Sequence, residues 1–217
     1  MDFTEEEIKQ MTLDLQNKDI TYNSLVENFH TFHKKQFAEE YYLNEIKRSS
    51  IDKETYKNLG NLYFAQNRPK KAEEFYLKAI KKDSKYWCVY YNLANLHGKL
   101  GRFKKAEECY LKAIELNPQD GDVYNNIGRL YYQLKRYKEA EVCFKKKIKL
   151  QPTDAKGYSS LAIILSYIGR MNEAEMCYRL GLKPTNTNIN IVYDNFQIFL
   201  VKKGKAFEAE KYLRLKK

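Results

Sequence analysis

The chain has 217 residues, 43% of them hydrophobic, and a formal net charge of +11. This hydrophobic content is sufficient for a folded core and argues against a disordered chain, and nine glycines and four prolines are too few for a turn-rich all-β protein. No stretch approaches about 18 consecutive apolar residues, so a transmembrane helix is not predicted. The acidic segment MDFTEEEIKQ does not resemble a signal peptide, and we therefore expect a cytoplasmic protein.

Residues 1–18 are predicted to form a helix that caps the rest of the chain. Thr4 and Glu7 have the spacing of a capping box, and Phe3 and Ile8 have that of a hydrophobic staple. Both patterns favour a helix that begins at this point. Its apolar side chains are expected to cover the first of the units that follow.

From residue 19 the sequence repeats with a period of 34 residues. An alanine recurs at this spacing, an aromatic residue follows each alanine after four positions, and another series of tyrosines precedes leucine or isoleucine by three positions. The members of these series are Ala38, Ala72, Ala106, Ala140 and Ala174; Tyr42, Tyr76, Tyr110, Phe144 and Tyr178; and Tyr22, Tyr56, Tyr90, Tyr124 and Tyr158. Steps of three and four residues place side chains on one face of a helix, so each unit is predicted to contain two helices.

Six such units are predicted, and the last follows a one-residue insertion near Pro184. They span residues 19–52, 53–86, 87–120, 121–154, 155–188 and 190–217. Glycine is frequent just after a helix C-terminus, so segments such as Gly101-Arg102 are predicted to be turns between the two helices of a unit. Proline cannot continue a helix, so Pro118 and Pro152 are expected to end second helices. One helix pair cannot bury its own apolar face, whereas stacked copies can.

The recurring Tyr-Leu-Gly-Tyr, Ala, Tyr, Ala, Pro pattern resembles the tetratricopeptide repeat family, and the resemblance covers residues 19–217. Departures include Ser84 in place of proline, and Lys147 and Gly181 in place of an alanine. The resemblance implies an all-α fold, a right-handed α-solenoid of about six helix hairpins with the N-terminal capping helix. It also implies a concave groove lined by the first helix of each unit and a non-catalytic role as a scaffold or adaptor that binds a protein partner.

Asparagine side chains recur on the predicted first helices and define the candidate binding site. One series is Asn58, Asn92 and Asn126, followed by Ser160; a second is Asn61 and Asn95, followed by Arg129; Lys57 and Lys156 belong to the same helices. An amide both donates and accepts hydrogen bonds, so a column of amides can hold the backbone of an extended peptide. Lys57, Arg129 and Lys156 are expected to select acidic side chains of that peptide. The alternative interpretation is that these amides only bond to neighbouring helices.

Some members of the resembled family bind acidic C-termini through a carboxylate clamp. Lys57, Asn61 and Asn92 match the first two units of that clamp. Asp122 stands where the third unit requires a cation, and it would repel a bound carboxylate. The clamp is therefore incomplete in this chain.

We predict no catalytic residue, metal site or cofactor, and hence no enzyme. The sequence contains no glycine-rich phosphate loop and no HExxH or GxSxG motif. Cys109, Cys143 and Cys177 recur at equivalent places in stacked units, about 10 Å apart, which is too far for a disulfide. They and Cys88 are expected to be reduced and buried. Acidic pairs such as Glu73-Glu74 are expected to be surface charges with lysines three or four residues away.

The positive charge leaves other functions open. Dense lysine runs, such as residues 145–149, fall on predicted second helices, where they would decorate the convex surface. A basic RNA-associated repeat protein is therefore one alternative, although packing already explains twelve of the 19 tyrosines that could stack on bases. Another is a structural subunit stacked into a larger assembly through its ends, with end-to-end self-association or a chain that continues beyond residue 217. The preferred interpretation is a groove that binds an extended or helical segment of a partner protein.

Overall fold

The computed structural model describes residues 39–44, 46, 52–183, 185 and 187–215. The predicted capping helix and most of the first predicted unit lie outside these residues. Among the described residues there are ten helices from Lys53 onwards, helical residues at 39–44 and 46, and no strand apart from one isolated bridge between Asp154 and Thr187. The chain divides into two compact units, residues 1–116 and 117–217.

The described part of the first compact unit contains two complete helix hairpins. Its helices are α1 (Lys53–Ala65), α2 (Pro69–Lys82), α3 (Trp87–Lys99) and α4 (Phe103–Leu116). Helix α1 packs against α2, α3 packs against α4, and α2 also contacts α3. The two hairpins are therefore stacked, and their shared core includes Leu59, Tyr76 and Val89, which are all fully buried.

The second compact unit contains three hairpins. Its helices are α5 (Gly121–Gln133), α6 (Tyr137–Leu150), α7 (Ala155–Tyr167), α8 (Met171–Gly181), α9 (Ile189–Lys202) and α10 (Ala206–Leu215). The pairs α5–α6, α7–α8 and α9–α10 form the hairpins, and α7 contacts both α6 and α9. We call α1, α3, α5, α7 and α9 the first helices. The all-α arrangement of paired helices confirms the predicted fold class.

The turns inside the hairpins share one backbone conformation. A residue with positive φ occupies the same place in each of the five described turns: Asn67, Gly101, Lys135, Gly169 and Gly204. The residue that follows donates its backbone N–H to a carbonyl five positions back, as in the 2.9 Å bond from Arg102 to His97. This satisfies a carbonyl that the helix end leaves unpaired. Glycine is therefore favoured in these turns but is not obligatory.

Ion pairs connect second helices of successive hairpins. An acidic residue on one second helix pairs with the basic residue of the next turn, at 2.8 Å for Glu39–Arg68 and Glu73–Arg102, 2.9 Å for Glu141–Arg170 and 3.1 Å for Glu175–Lys205. Glu74 has the expected partner four residues away, Lys78. Glu73 pairs across hairpins with Arg102, a partner that the sequence analysis did not predict. The period of 34 residues explains the difference, because it places an acid and a base side by side in these four pairs.

Glu175 should make stability depend on acid pH. Hydrogen bonds from Lys203 and Arg179 lower the pKa of Glu175 from 4.5 to about 2, although burial opposes this. A depressed carboxyl pKa adds stability above the unfolded value, and that stability is lost as the pH falls from about 4.5 to about 2. We expect Glu175→Gln to be less stable at neutral pH and to lose less stability than wild type between about pH 5 and about pH 3 in urea unfolding. Glu74→Gln, at an exposed surface pair, is the control, and an unchanged acid dependence in Glu175→Gln would contradict the assignment.

Candidate functional site

Two of the predicted site residues in the first compact unit are buried. Asn58 is 6% exposed and Asn61 is 4% exposed. The Asn61 side-chain oxygen accepts hydrogen bonds from the Tyr76 hydroxyl at 2.8 Å and from the Asn92 amide at 2.9 Å. Asn61 thus bonds to neighbouring helices, as in the alternative interpretation, whereas the buried side-chain oxygen of Asn58 has no hydrogen-bond partner among the described residues. Neither side chain is exposed to a ligand in this structure.

The other predicted site residues of this unit are partly covered by their own neighbours. Lys57 forms an ion pair of 2.5 Å with Glu54, and its side chain is only 15% exposed. The Asn95 side-chain oxygen accepts a 2.5 Å hydrogen bond from the Tyr110 hydroxyl. Asn92 and Asn95 are half-buried. Lys57 thus differs from the free cation that the sequence suggests, because Glu54 lies one helical turn before it.

The predicted site residues of the second compact unit are more accessible. Arg129 and Lys156 are exposed, and neither forms an ion pair with a carboxylate in the part of the chain that the structure describes. Asn126 and Ser160 are half-buried, and both bond to Asn125, at 3.4 and 3.2 Å. The role of Asn125 was not predicted, because it does not belong to the repeated asparagine series.

Lys147 does not lie on the surface, although it belongs to the lysine run at residues 145–149. Its side chain is fully buried, and its ammonium group pairs with Asp122 and Asp154, each at 2.7 Å, and also bonds to Gln151. Burial would lower the pKa of Lys147, but the hydrogen bonds to Asp122 and Asp154 raise it, so the group is charged. The expectation that the whole run decorates the convex surface is therefore wrong at this position. Asp122, predicted to repel acidic ligands, has its own cation.

An open cavity of about 420 Å³ lies beside the first helices of the second compact unit. It is lined by side chains from the end of α5, the C-terminal half of α7, both ends of α8 and the middle and C-terminal end of α9, among them Tyr132, Ile163, Tyr167, Met171, Ile198 and Lys202. Several of these are unusually exposed for large apolar residues, with Tyr167 at 60%, Ile198 at 56% and Met171 at 44%. The sequence contains a signal for this cavity, because Ile163 and Ile198 continue the series of Asn61, Asn95 and Arg129.

Two tyrosines that line this cavity, Tyr132 and Tyr167, pack against a third ring, Tyr137. The ring centroids of Tyr132, Tyr137 and Tyr167 lie 5.0 to 6.1 Å from one another. A hydrogen bond to Tyr167 raises the pKa of Tyr137 to about 12, so the Tyr137 hydroxyl remains protonated at neutral pH. We call these three residues the tyrosine cluster.

The histidine, cysteine and carboxylate side chains bear on metal binding and nucleophilic chemistry. Among the described residues no group of three or more histidine, cysteine or carboxylate side chains could hold a metal ion. The four cysteines are free and half-buried, and burial raises the pKa of Cys109 and Cys143 to about 11. These thiols are therefore not reactive nucleophiles at neutral pH. No helix in the described part of the chain is long and apolar enough to cross a membrane.

A protein-family model matches most of the chain. The model described as the Cilia and flagella-associated protein 70 C-terminal domain matches residues 11–188. No protein of curated function matches the sequence.

Solved structures share the fold at low sequence identity. PilF of Pseudomonas aeruginosa is 20% identical with a TM-score of 0.71, over 97% of this chain and 91% of that one. A tetratricopeptide repeat protein of Parabacteroides merdae is 22% identical with a TM-score of 0.70, over 94% and 78%. YrrB, described as a tetratricopeptide repeat protein with an unusual peptide-binding site, is 21% identical with a TM-score of 0.61, over 80% and 89%. These similarities confirm the tetratricopeptide repeat architecture, an α-solenoid of helix hairpins.

Proposed function

We propose a peptide-binding function for this chain, which belongs to the tetratricopeptide repeat family described as the Cilia and flagella-associated protein 70 C-terminal domain. Protein interaction is the role that this fold supports. In our proposal the chain is a non-catalytic cytoplasmic adaptor in a ciliary or flagellar assembly, as the family name suggests. Its first helices bind a segment of a partner protein.

The main support for this proposal is the cavity beside α5, α7 and α9. Isolated apolar residues are common on protein surfaces, but a cluster around a concave site indicates a binding surface. Tyr167, Met171 and Ile198 are such a cluster, and their exposed area would be removed from water by a bound segment. Burial of apolar area is the main favourable term in such binding.

The charges on the same helices favour an acidic partner. Arg129, Lys156 and Lys202 are exposed on α5, α7 and α9, and none pairs with a carboxylate within the described ranges. Acidic side chains of a bound segment would neutralise them and speed association. Asn92 and Asn126 stay in the proposal as half-buried amides that can contact a peptide backbone, each within its own compact unit.

A photo-crosslinking experiment tests where the partner binds. A benzophenone amino acid is placed at Tyr167, or at Val142 on α6 as the control, which is 68% exposed but belongs to a second helix. After illumination in an extract of ciliated cells, we expect crosslinks to one defined partner peptide from position 167 and none to that peptide from position 142. The site is mapped by mass spectrometry of the crosslinked peptides.

Substitutions on α9 provide a matched comparison. Ile198 lines the cavity and Val201 does not, although the two are 56% and 55% exposed. We expect Ile198→Asp to reduce the crosslink at position 167 about tenfold or more, since it places a charge where a partner buries an apolar side chain. Val201→Asp should leave the crosslink unchanged. Equal crosslinking by both variants would exclude this cavity as the binding site.

A further inference from the structure

The tyrosine cluster offers flat ring faces set at angles to one another. Tyr132 and Tyr167 meet edge to face at 89°, while Tyr137 is tilted by 51° from Tyr132 and by 45° from Tyr167. Tyr167 is 60% exposed and Tyr132 and Tyr137 are half-buried, so the fold leaves part of the cluster accessible to a ligand. Aromatic-lined grooves of this kind bind polyproline II segments, whose pyrrolidine rings pack flat on aromatic faces.

The floor of the cavity complements such a segment. Ile163, Met171 and Ile198 provide apolar surface from three different helices next to the ring of Tyr167. A polyproline II helix has three residues per turn, so two of its three faces can contact this floor and the rings while the third faces water. The unbranched Met171 side chain can adapt to an irregular ligand surface.

The polar groups around the cavity favour an extended ligand over a helical one. A polyproline II segment makes no internal hydrogen bonds, so its carbonyls need donors from the protein. Tyrosine hydroxyls and the Asn195 amide can donate, and Asn195 uses only part of its capacity in the 2.8 Å bond to Ser159. The carbonyls of a bound α-helix would already be paired, and these donors would gain nothing from it.

Lys202, at the rim of the cavity, favours a ligand with an acidic residue. It is exposed, lines the cavity, and pairs with no carboxylate in the described part of the chain. Its neighbour Lys203 already pairs with Glu175 at 2.6 Å. An acidic residue beside the bound segment would therefore meet Lys202 in particular.

We propose that the cavity binds a proline-rich segment of a partner protein in the polyproline II conformation, with an acidic residue next to it that pairs with Lys202. This inference rests on the proposed function, since it names the class of peptide that the same site takes. The rings of the tyrosine cluster pack against prolines, and Lys202 fixes the direction of the segment.

A displayed library of random linear peptides tests this inference and separates it from the proposed function. The library is selected on the wild-type chain and counter-selected on Ile198→Asp. Enrichment of proline-rich peptides with an adjacent acid supports the inference. Enrichment of amphipathic helical peptides, or of others without proline, would overturn the inference and leave the proposed function standing. If no peptide distinguishes wild type from Ile198→Asp, both are overturned.

Affinities of one enriched synthetic peptide then test the named residues by fluorescence anisotropy. Tyr167→Ala should weaken binding about tenfold, because one exposed ring face is lost. Lys202→Glu should weaken binding of the acidic peptide and strengthen binding of a version with lysine at the acidic position. Lys149→Glu, at an exposed lysine of α6 outside the cavity, should do neither. Loss of binding to both peptide versions in Lys202→Glu, with unchanged circular dichroism, would contradict the proposed pairing.

Discussion

Lys147→Ala is expected to destabilise the protein by about 3 kcal/mol, although alanine occupies this position in the two preceding repeats. Those residues are Ala79 and Ala113, and both are fully buried, as Lys147 is. The substitution removes a buried side-chain stem and leaves a cavity that the surroundings fill only partly. A change towards the repeat pattern should therefore be harmful here. Urea unfolding followed by circular dichroism measures the effect.

Gly157 explains why the lysine fits where alanine is usual. The position ten residues after Ala79 and Ala113 is a buried valine, Val89 or Val123, but after Lys147 it is glycine. A Cβ atom added at Gly157 would lie 3.0 Å from the Lys147 side chain. The large residue and the small one have thus exchanged places between the two helices.

The double variant is the decisive measurement for this exchange. Gly157→Val alone should cost about 2 kcal/mol through overpacking. Lys147→Ala/Gly157→Val restores the pair found in the earlier repeats but still removes the ammonium partner of Asp154, so it should lie within about 2 kcal/mol of wild type, a coupling of about 3 kcal/mol. If the losses in free energy of unfolding of the two single variants simply add in the double variant, the side chains at positions 147 and 157 do not compete for the same volume.

Lys147→Met separates the stem of the side chain from its charge. Methionine keeps most of the apolar volume but leaves Asp154 without its ammonium partner. The Asp154 carboxylate is 16% exposed and still accepts hydrogen bonds from the Lys156 backbone and from Asn188. We therefore expect a smaller loss than for Lys147→Ala, about 1–2 kcal/mol.

The sequence predicts the hairpins and their turns well because both depend on local spacing. Steps of three and four residues define each helix, and the turn residue recurs with the same period. Lys135 adopts the same positive φ as the glycines in its position, so the repeat, rather than the residue type, identifies that turn.

The burial of Lys147 was missed because residues 145–149 were interpreted as one run of charge. Ala140 and Phe144 are buried and precede Lys147 by seven and three residues, so all three lie on the same helix face. Helical spacing therefore contains the signal. The partners do not follow from it, because Asp122 is 25 residues away on another helix.

The sequence analysis identified the helices that line the candidate site, but not the apolar character of its side chains. The residues of the asparagine series lie on first helices, as predicted. The side-chain oxygen of Asn61, however, already accepts hydrogen bonds from Tyr76 and Asn92 within the fold. Farther along the chain, Ile163 and Ile198 occupy the positions equivalent to Asn61 and Asn95. A hydrogen-bonding interpretation alone could not show that this part of the surface changes from polar to apolar.

Gly60→Ala is expected to destabilise the protein by about 3 kcal/mol, even though alanine is the better helix former. An added Cβ would overlap the ring of Tyr76. That ring is fully buried, and its hydroxyl donates to Asn61, which also accepts from Asn92. The ring can move only by breaking its hydrogen bond from α2 to Asn61 on α1, so the overlap cannot be relieved at low cost.

Gly98→Ala is the matched control for this effect. Gly98 lies in α3, and an added Cβ there meets nothing within 4 Å. The lower entropy of the unfolded chain should then stabilise the protein by about 0.5 kcal/mol. Opposite signs for the two substitutions in urea unfolding would establish that Gly60 is required by contact with Tyr76, because helix propensity acts equally at both sites. If Gly60→Ala is also neutral or stabilising, Tyr76 can relax, and the small residue is not what sets the approach of α1 to α2.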